Sequence, residues 1–320
     1  MRADVFTQRV FLVSPTGDHM AYAAPRDQLR VRGASGAEQV VENVRGQDVR
    51  FSADGRRLVT LRRLQEAGDL SEVLLLDLAS GERRGLGQAY QPRWLEWVQD
   101  GVVVRHVDPL SNRPALTYFP LSGAPRRLVS RDDLGVRFTA ASRGTRVLFF
   151  AGRSVLTVDV SGGQPADAGE LESASTNMEM RPDGGEAAIV TGRGVHRWTP
   201  AGLQLIDPLP HVHTVWYAGD GRSLAYASPS RAVHVTGGLR HELHAPSTDL
   251  RALRFRRGGD GLVVVRGDRA LLWRPAAGDL RTLATSGAGR TLHAADWFRG
   301  GTLMWTLGPL AAANARLPAS

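Results

Sequence analysis

Short apolar runs recur along this chain, each pair separated by a cluster of turn-forming residues. The pattern is clearest at 51–61, FSADGRRLVTL, where Asp54-Gly55 stands between two such runs. Glycine accepts positive φ and aspartate can hydrogen-bond its own turn backbone, so the step predicts a tight hairpin. The same block returns at 11–23 (FLVSPTGDHMAYA), 97–107, 138–150, 180–190 (MRPDGGEAAIV), 217–227, 255–265 and 297–307. Its turn glycines, taken as Gly17, Gly55, Gly101, Gly144, Gly184, Gly221, Gly261 and Gly301, lie 37 to 46 residues apart.

Each hairpin is followed by a third apolar run, often ending in glycine, as in EVLLLDLASG (72–81) and SVLTVDVSGG (154–163). A weaker fourth run follows, such as RRLV (126–129) or LRTLA (280–284). Four short strands repeating about every 40–45 residues mark a propeller blade. The expected fold is therefore all-β, a β-propeller of four-stranded blades forming a single domain over residues 1–320. Eight blades are expected, the last incomplete, with 310–317 as a poor outer strand. Seven blades plus an extra hairpin is the alternative.

The stretches FSADGRRLVTL…VLLLDLASG and MRPDGGEAAIV resemble the Ser-Pro-Asp-Gly repeats of TolB-type and prolyl-peptidase-type propellers, relatives of the WD40-like repeat proteins. The motif marks a fold and specifies no ligand. Thr16, Arg143 and Gly300 replace the aspartate in the first, fourth and eighth units. The resemblance implies that peptidase activity would need a separate hydrolase domain, and no G-x-S-x-G elbow is present.

The innermost strand of each blade lines the central channel. Successive units place Leu12, Arg50, Glu96, Arg137, Glu179, Trp216, Arg254 and Asp296 just before the apolar residues that end that strand. Strand alternation sends the two sets to opposite faces. The polar set alternates in sign, which predicts structural ion pairs Arg50–Glu96, Arg137–Glu179 and Arg254–Asp296, because a charge between blades must be paired.

Length has been added in two adjacent units, at 62–72 (RRLQEAGDLSE) and 105–115 (RHVDPLSNRPA). Read as rim loops, they offer Arg62, Arg63, Glu66, Asp69, Arg105, His106, Asp108, Asn112 and Arg113 as binding residues. The connections 130–135 and 170–177 open on the same rim. In the sixth unit His211 and His213 share a strand face, with His234, His241 and His244 following and only Asp207 and Glu242 as candidate carboxylates. Zinc needs three or four ligands with a supporting shell, so His211 and His213 are weak candidates and no metal or other cofactor is expected.

Composition narrows function further. Forty basic residues, all arginine, against 32 acidic ones give a net charge of +8, which admits an anionic partner. With no cysteine, disulfides, thiolate metal sites and cysteine nucleophiles are excluded. No apolar run reaches membrane-helix length or resembles a leader, so a cytoplasmic protein without membrane contact is expected. A secreted chain produced without its leader would read the same. The expectation is a non-catalytic scaffold that binds a protein through its loop rim. The rivals are a hydrolase or lactonase-like enzyme at the channel mouth near His211 and His213, and a nucleic-acid binder acting through surface arginines.

Overall fold

The computed structural model describes residues 11–64, 69–173, 175–245, 249–255, 261–285, 292–298, 302–307 and 311–314. Each repeat folds into an antiparallel sheet whose strands follow chain order. The first contains Phe11–Val13, His19–Ala24, Gln28–Gly33 and Glu38–Val41. The second and third share one seven-stranded sheet, because the 16-residue strand Arg83–Val98 is the outer strand of one and the inner strand of the next. Four-stranded sheets follow over 134–170, 175–207, 214–244 and 250–285, then a three-stranded one over 292–314. The inner strand Phe11–Val13 packs against the last inner strand, Leu292–Phe298, which closes the ring.

Burial falls off radially. The second strands are buried along nearly their whole length, as in Ala187–Thr191 and Ser223–Ala227, because neighbouring blades cover both faces. Outer strands such as Arg126–Ser130 and Leu239–His244 are mostly exposed. The core is accordingly a series of inter-blade clusters. One joins Leu29 and Val31 of the first unit to Leu58 and Leu76 of the second, and another joins Ile189 of the fifth to Leu148 and Phe150 of the fourth.

The hairpin turns share one backbone frame. Gly17, Gly55, Gly144, Gly184 and Gly221 donate N–H to the carbonyls of Ser14, Ser52, Ala141, Arg181 and Ala218. Asp54, Asp183 and Asp220 accept the N–H groups of Arg56, Gly185 and Arg222 at 2.9–3.0 Å, so their carboxylates are spent inside the turns. At Gly55, φ is +69° and a Cβ would stand 2.5 Å from the Thr16 hydroxyl of the preceding blade. Only glycine meets both conditions.

Candidate functional site

The turn frame fixes which residues share a level of the channel. Counting back two positions from the carbonyls at Ser14, Ser52, Ala141, Arg181 and Ala218 gives Leu12, Arg50, Thr139, Glu179 and Trp216. Strand pairing places Glu96 (opposite Val103) and Arg254 (opposite Val263) on the same level. Arg137 is not in this layer. It lies two residues, one pleat, higher, level with Trp94, Asn177 and Thr214. The fourth unit has five residues between Phe138 and Gly144 where the second has three between Phe51 and Gly55, so an alignment on the last aromatic residue slips by two residues, one pleat.

The structure brings Arg50 and Glu96 together. Arg50 Nε and Nη2 donate to the two Glu96 oxygens at 3.2 and 3.1 Å. The Trp94 Nε1–H donates to Glu96 Oε1 at 2.8 Å, and the Trp97 Nε1–H to the Arg50 carbonyl at 3.0 Å. The Trp94 ring carries two guanidinium groups, Arg50 and Arg137, each 4.8 Å from its centre. Arg254 sits 3.6 Å over Trp216, whose Nε1–H donates to the Thr214 hydroxyl at 2.6 Å. The Asp296 side chain lies outside the described residues.

The predicted Arg137–Glu179 pair does not form. Arg137 is exposed and reaches Asn177 Oδ1 at 3.5 Å, while Thr139, the residue on the level of Glu179, is too short to supply a counter-charge. The Thr139 hydroxyl is instead buried and accepts the Met180 N–H at 3.0 Å. Glu179 is half-buried, and desolvation together with the nearby Glu96 carboxylate pushes its carboxyl up to about 8 against the opposing pull of Arg50 and Arg254. That shift leaves the side chain largely protonated near neutral pH. Arg50→Ala is therefore expected to cost about 1.5–3 kcal/mol, the worth of hydrogen bonds between charged groups, and Arg137→Ala less than about 1 kcal/mol. Urea unfolding of the two variants would measure the difference, and equal midpoints would contradict it.

The rim also differs from its sequence reading. Residues 105–115 are not a loop. Strands Gly101–Asp108 and Arg113–Pro120 pair along their full length, leaving a turn of four residues. Arg105, His106 and Asp108 are consequently buried. Arg105, 8% exposed, donates to the Gly135 carbonyl at 3.0 Å. His106 Nε2 lies 2.8 Å from the Thr117 hydroxyl, and Asp108 accepts the Leu110 N–H, the Ser111 hydroxyl and an Arg127 N–H. Arg62 and Arg63 are likewise strand residues, paired with Glu72 at 2.5 Å and Asp27 at 3.5 Å. Asp69 is exposed and accepts Gln91 Nε2 at 2.7 Å, and Glu66 lies outside the described residues.

What the rim does present is Leu110, 93% exposed, with exposed Asn112 and Arg113 beside it. Arg113 reaches Asp132 at 3.2 Å, which ties this turn to the connection that leads into the strand Leu134–Ala140, where Val136 is 59% exposed. Leu110 and Val136 were missed because both sit in segments read for their charged residues.

His211 and His213 precede the strand Thr214–Tyr217 and are exposed, with His211 in the left-handed region at φ 59°. Among the described residues no three histidine, aspartate or glutamate side chains converge on a point. The histidines that meet are His234 and His241, cross-strand neighbours with rings 6.0 Å apart. Asp207 and Glu242 belong to an arginine network: Asp207 accepts from Arg240 Nη2 and the Tyr226 hydroxyl, each at 2.9 Å, and Glu242 accepts from Arg240 and Arg231.

Among solved structures, the C-terminal WD40 domain of Sif2 superposes on 93% of this chain and 94% of its own, with a TM-score of 0.68 at 10% identity. The fold is a WD40-type β-propeller. A chain of the mitotic checkpoint complex matches the propeller over 95% of its length and 85% of that chain, with a TM-score of 0.52 at 14% identity. A prolyl endopeptidase matches 93% of the propeller at a TM-score of 0.62 and 14% identity. The propeller spans only 54% of that enzyme. No protein-family model matches the sequence, and no curated protein does. No helix among the described residues is long and apolar enough to cross a membrane.

Proposed function

We propose that the chain is one eight-bladed propeller acting as a non-catalytic scaffold that binds a protein through its upper rim. The observation that supports this reading is the hairpin turn at 109–112. It projects Leu110 into solvent from two paired strands, with exposed Asn112 and Arg113 beside it and Arg113 reaching Asp132 of the next unit. An apolar side chain inside a polar, arginine-bearing rim is the composition of a protein-interface anchor. The similar chain solved within the mitotic checkpoint complex, a propeller in an assembly, agrees with it.

The arginine surface favours a protein over a nucleic acid. Arg30, Arg62, Arg113, Arg127, Arg153, Arg193, Arg231 and Arg240 each face a carboxylate of this chain. Such pairs leave fewer cations to neutralise phosphates, the source of affinity for nucleic acid. A hydrolase at His211 and His213 would need acid–base or metal partners that the described residues do not bring there.

The test is affinity capture from native lysate with the wild type and Leu110→Arg, the latter checked for an unchanged melting temperature. Partners retained by the wild type are expected to be lost by the variant. Identical capture by both proteins would remove the rim from the binding surface.

A further inference from the structure

The upper mouth of the channel holds two polar groups that the ring of ion pairs leaves over. Arg137 has five N–H donors and one hydrogen bond, to Asn177 Oδ1, with no carboxylate partner among the described residues. Its guanidinium is nonetheless held in place, stacked on the Trp94 ring that Arg50 also contacts. Asn177 Oδ1 also accepts the Met178 N–H, so its amide nitrogen remains as a further donor beside Arg137. One pleat below, Glu179 makes no hydrogen bond or ion pair among the described residues, because Thr139 stands where the ring alternation called for an arginine.

We infer that this mouth, between Arg137 and Glu179, binds a small oxyanion, a carboxylate or a phosphate-like group. Arg137 supplies the charge and a planar fork of donors, and Asn177 adds a further N–H. Glu179 completes the set as a protonated carboxyl donating its O–H from below. Arg93 and Arg251, exposed on the inner-strand bulges of the third and seventh units, add positive charge at the same end of the channel. An organic cation fits less well, since it would enter past Arg137 and meet a carboxyl that is neutral.

The groups that act on Glu179 are Glu96, Arg50 and Arg254 across the channel and the Tyr217 phenol on the next blade, with Arg137 one pleat higher on Asn177. Burial raises Tyr217 far out of the physiological range, and Glu96 is tied to Arg50, so Glu179 is the group that titrates near pH 8. An anion that requires the protonated form binds more weakly as pH rises through that value. A cation that requires the ionised form binds more tightly.

Isothermal titration of the full chain with sodium sulfate and with sodium succinate, at pH 7 and pH 9.5, reads this sign directly. Both probes keep a constant charge over that range. Saturable binding is expected, weakened about tenfold or more at the higher pH, since each unit above the carboxyl's pKa cuts the protonated fraction about tenfold. Tighter sulfate binding assigns a phosphate-like ligand, and tighter succinate binding a carboxylate. Glu179→Gln keeps an N–H donor and is expected to bind without the pH dependence. Arg137→Gln is expected to lose at least about tenfold in affinity at an unchanged melting temperature. Absence of saturable binding to the wild type, binding unaffected by Arg137→Gln, or affinity that rises with pH would each overturn the assignment. Because the probes are small molecules and Leu110 is not involved, the result is independent of the rim reading.

Discussion

Replacing Asp207 by alanine is expected to destabilise the fold by about 3 kcal/mol, toward the lower end of what breaking a buried ion pair costs. Asp207 is 3% exposed and accepts from the Tyr226 hydroxyl and Arg240 Nη2, each at 2.9 Å, with Arg231 Nη2 at 3.7 Å. Removing the carboxylate strands a phenol that is 1% exposed and leaves two guanidinium groups facing an emptied site. Arg231 and Arg240 are partly exposed and keep Glu242 as a second partner, which limits the loss. Asp207→Asn, which retains an acceptor for Tyr226, is expected to lose less. Asp183→Ala, whose side chain is 63% exposed, serves as the surface control and is expected to lose under about 1 kcal/mol. Urea denaturation with unchanged slopes would establish the order. A loss at Asp207 no larger than that at Asp183 would show that the network carries no net stability.

Acid is expected to remove about 3 kcal/mol more from the wild type than from His234→Leu. His234 is 5% exposed, packs on the Phe255 and Trp273 rings, and has no hydrogen-bond partner for either ring nitrogen. Burial, with a smaller contribution from the neighbouring His241, depresses its pKa to about 4. The folded protein keeps this imidazole neutral while the unfolded chain protonates it near 6.5, so below that pH the unfolded state binds more protons. Stability is complete above about pH 6.5, declines as pH falls toward 4 and levels off below it. His19, His106 and His196 are also depressed by burial and act in the same direction, so a residual slope remains in the variant. Unfolding free energies at pH 7.5 and 4 for both proteins isolate the His234 share. Parallel pH profiles would show that His234 is protonated without penalty.

Residues that act through their own neighbours were legible in the chain. The Asp-Gly turns, the third runs ending in glycine and the period near 40 specify hairpins locally, because a short turn, its donors and its acceptor lie within five positions of one another. Sign alternation on the inner strands was enough to associate Arg50 with Glu96, since the second and third units carry the same number of residues between ring position and turn glycine. That regularity fails in the fourth unit. Only the hydrogen bond from the Gly144 N–H to the Ala141 carbonyl shows that Thr139, not Arg137, occupies the ring, and it is this displacement that leaves Glu179 without a partner.

The rim shows the same limit. An insertion at 105–115 reads alike whether it forms a loop or lengthens two strands, because strand length depends on what lies opposite. Here Arg105 finds the Gly135 carbonyl, 30 residues away, and His106 finds Thr117, so buried polar side chains are satisfied and the strands continue. The binding surface shrinks to the turn around Leu110. His234 with His241, and Asp207 with Arg240, are likewise products of cross-strand register and blade packing. The sequence by itself determined the repeat and its turns, where the interacting atoms are covalently close. Tertiary structure decided register and depth along the channel, because a shift of one pleat changes every partner while leaving the apolar alternation of the strand intact.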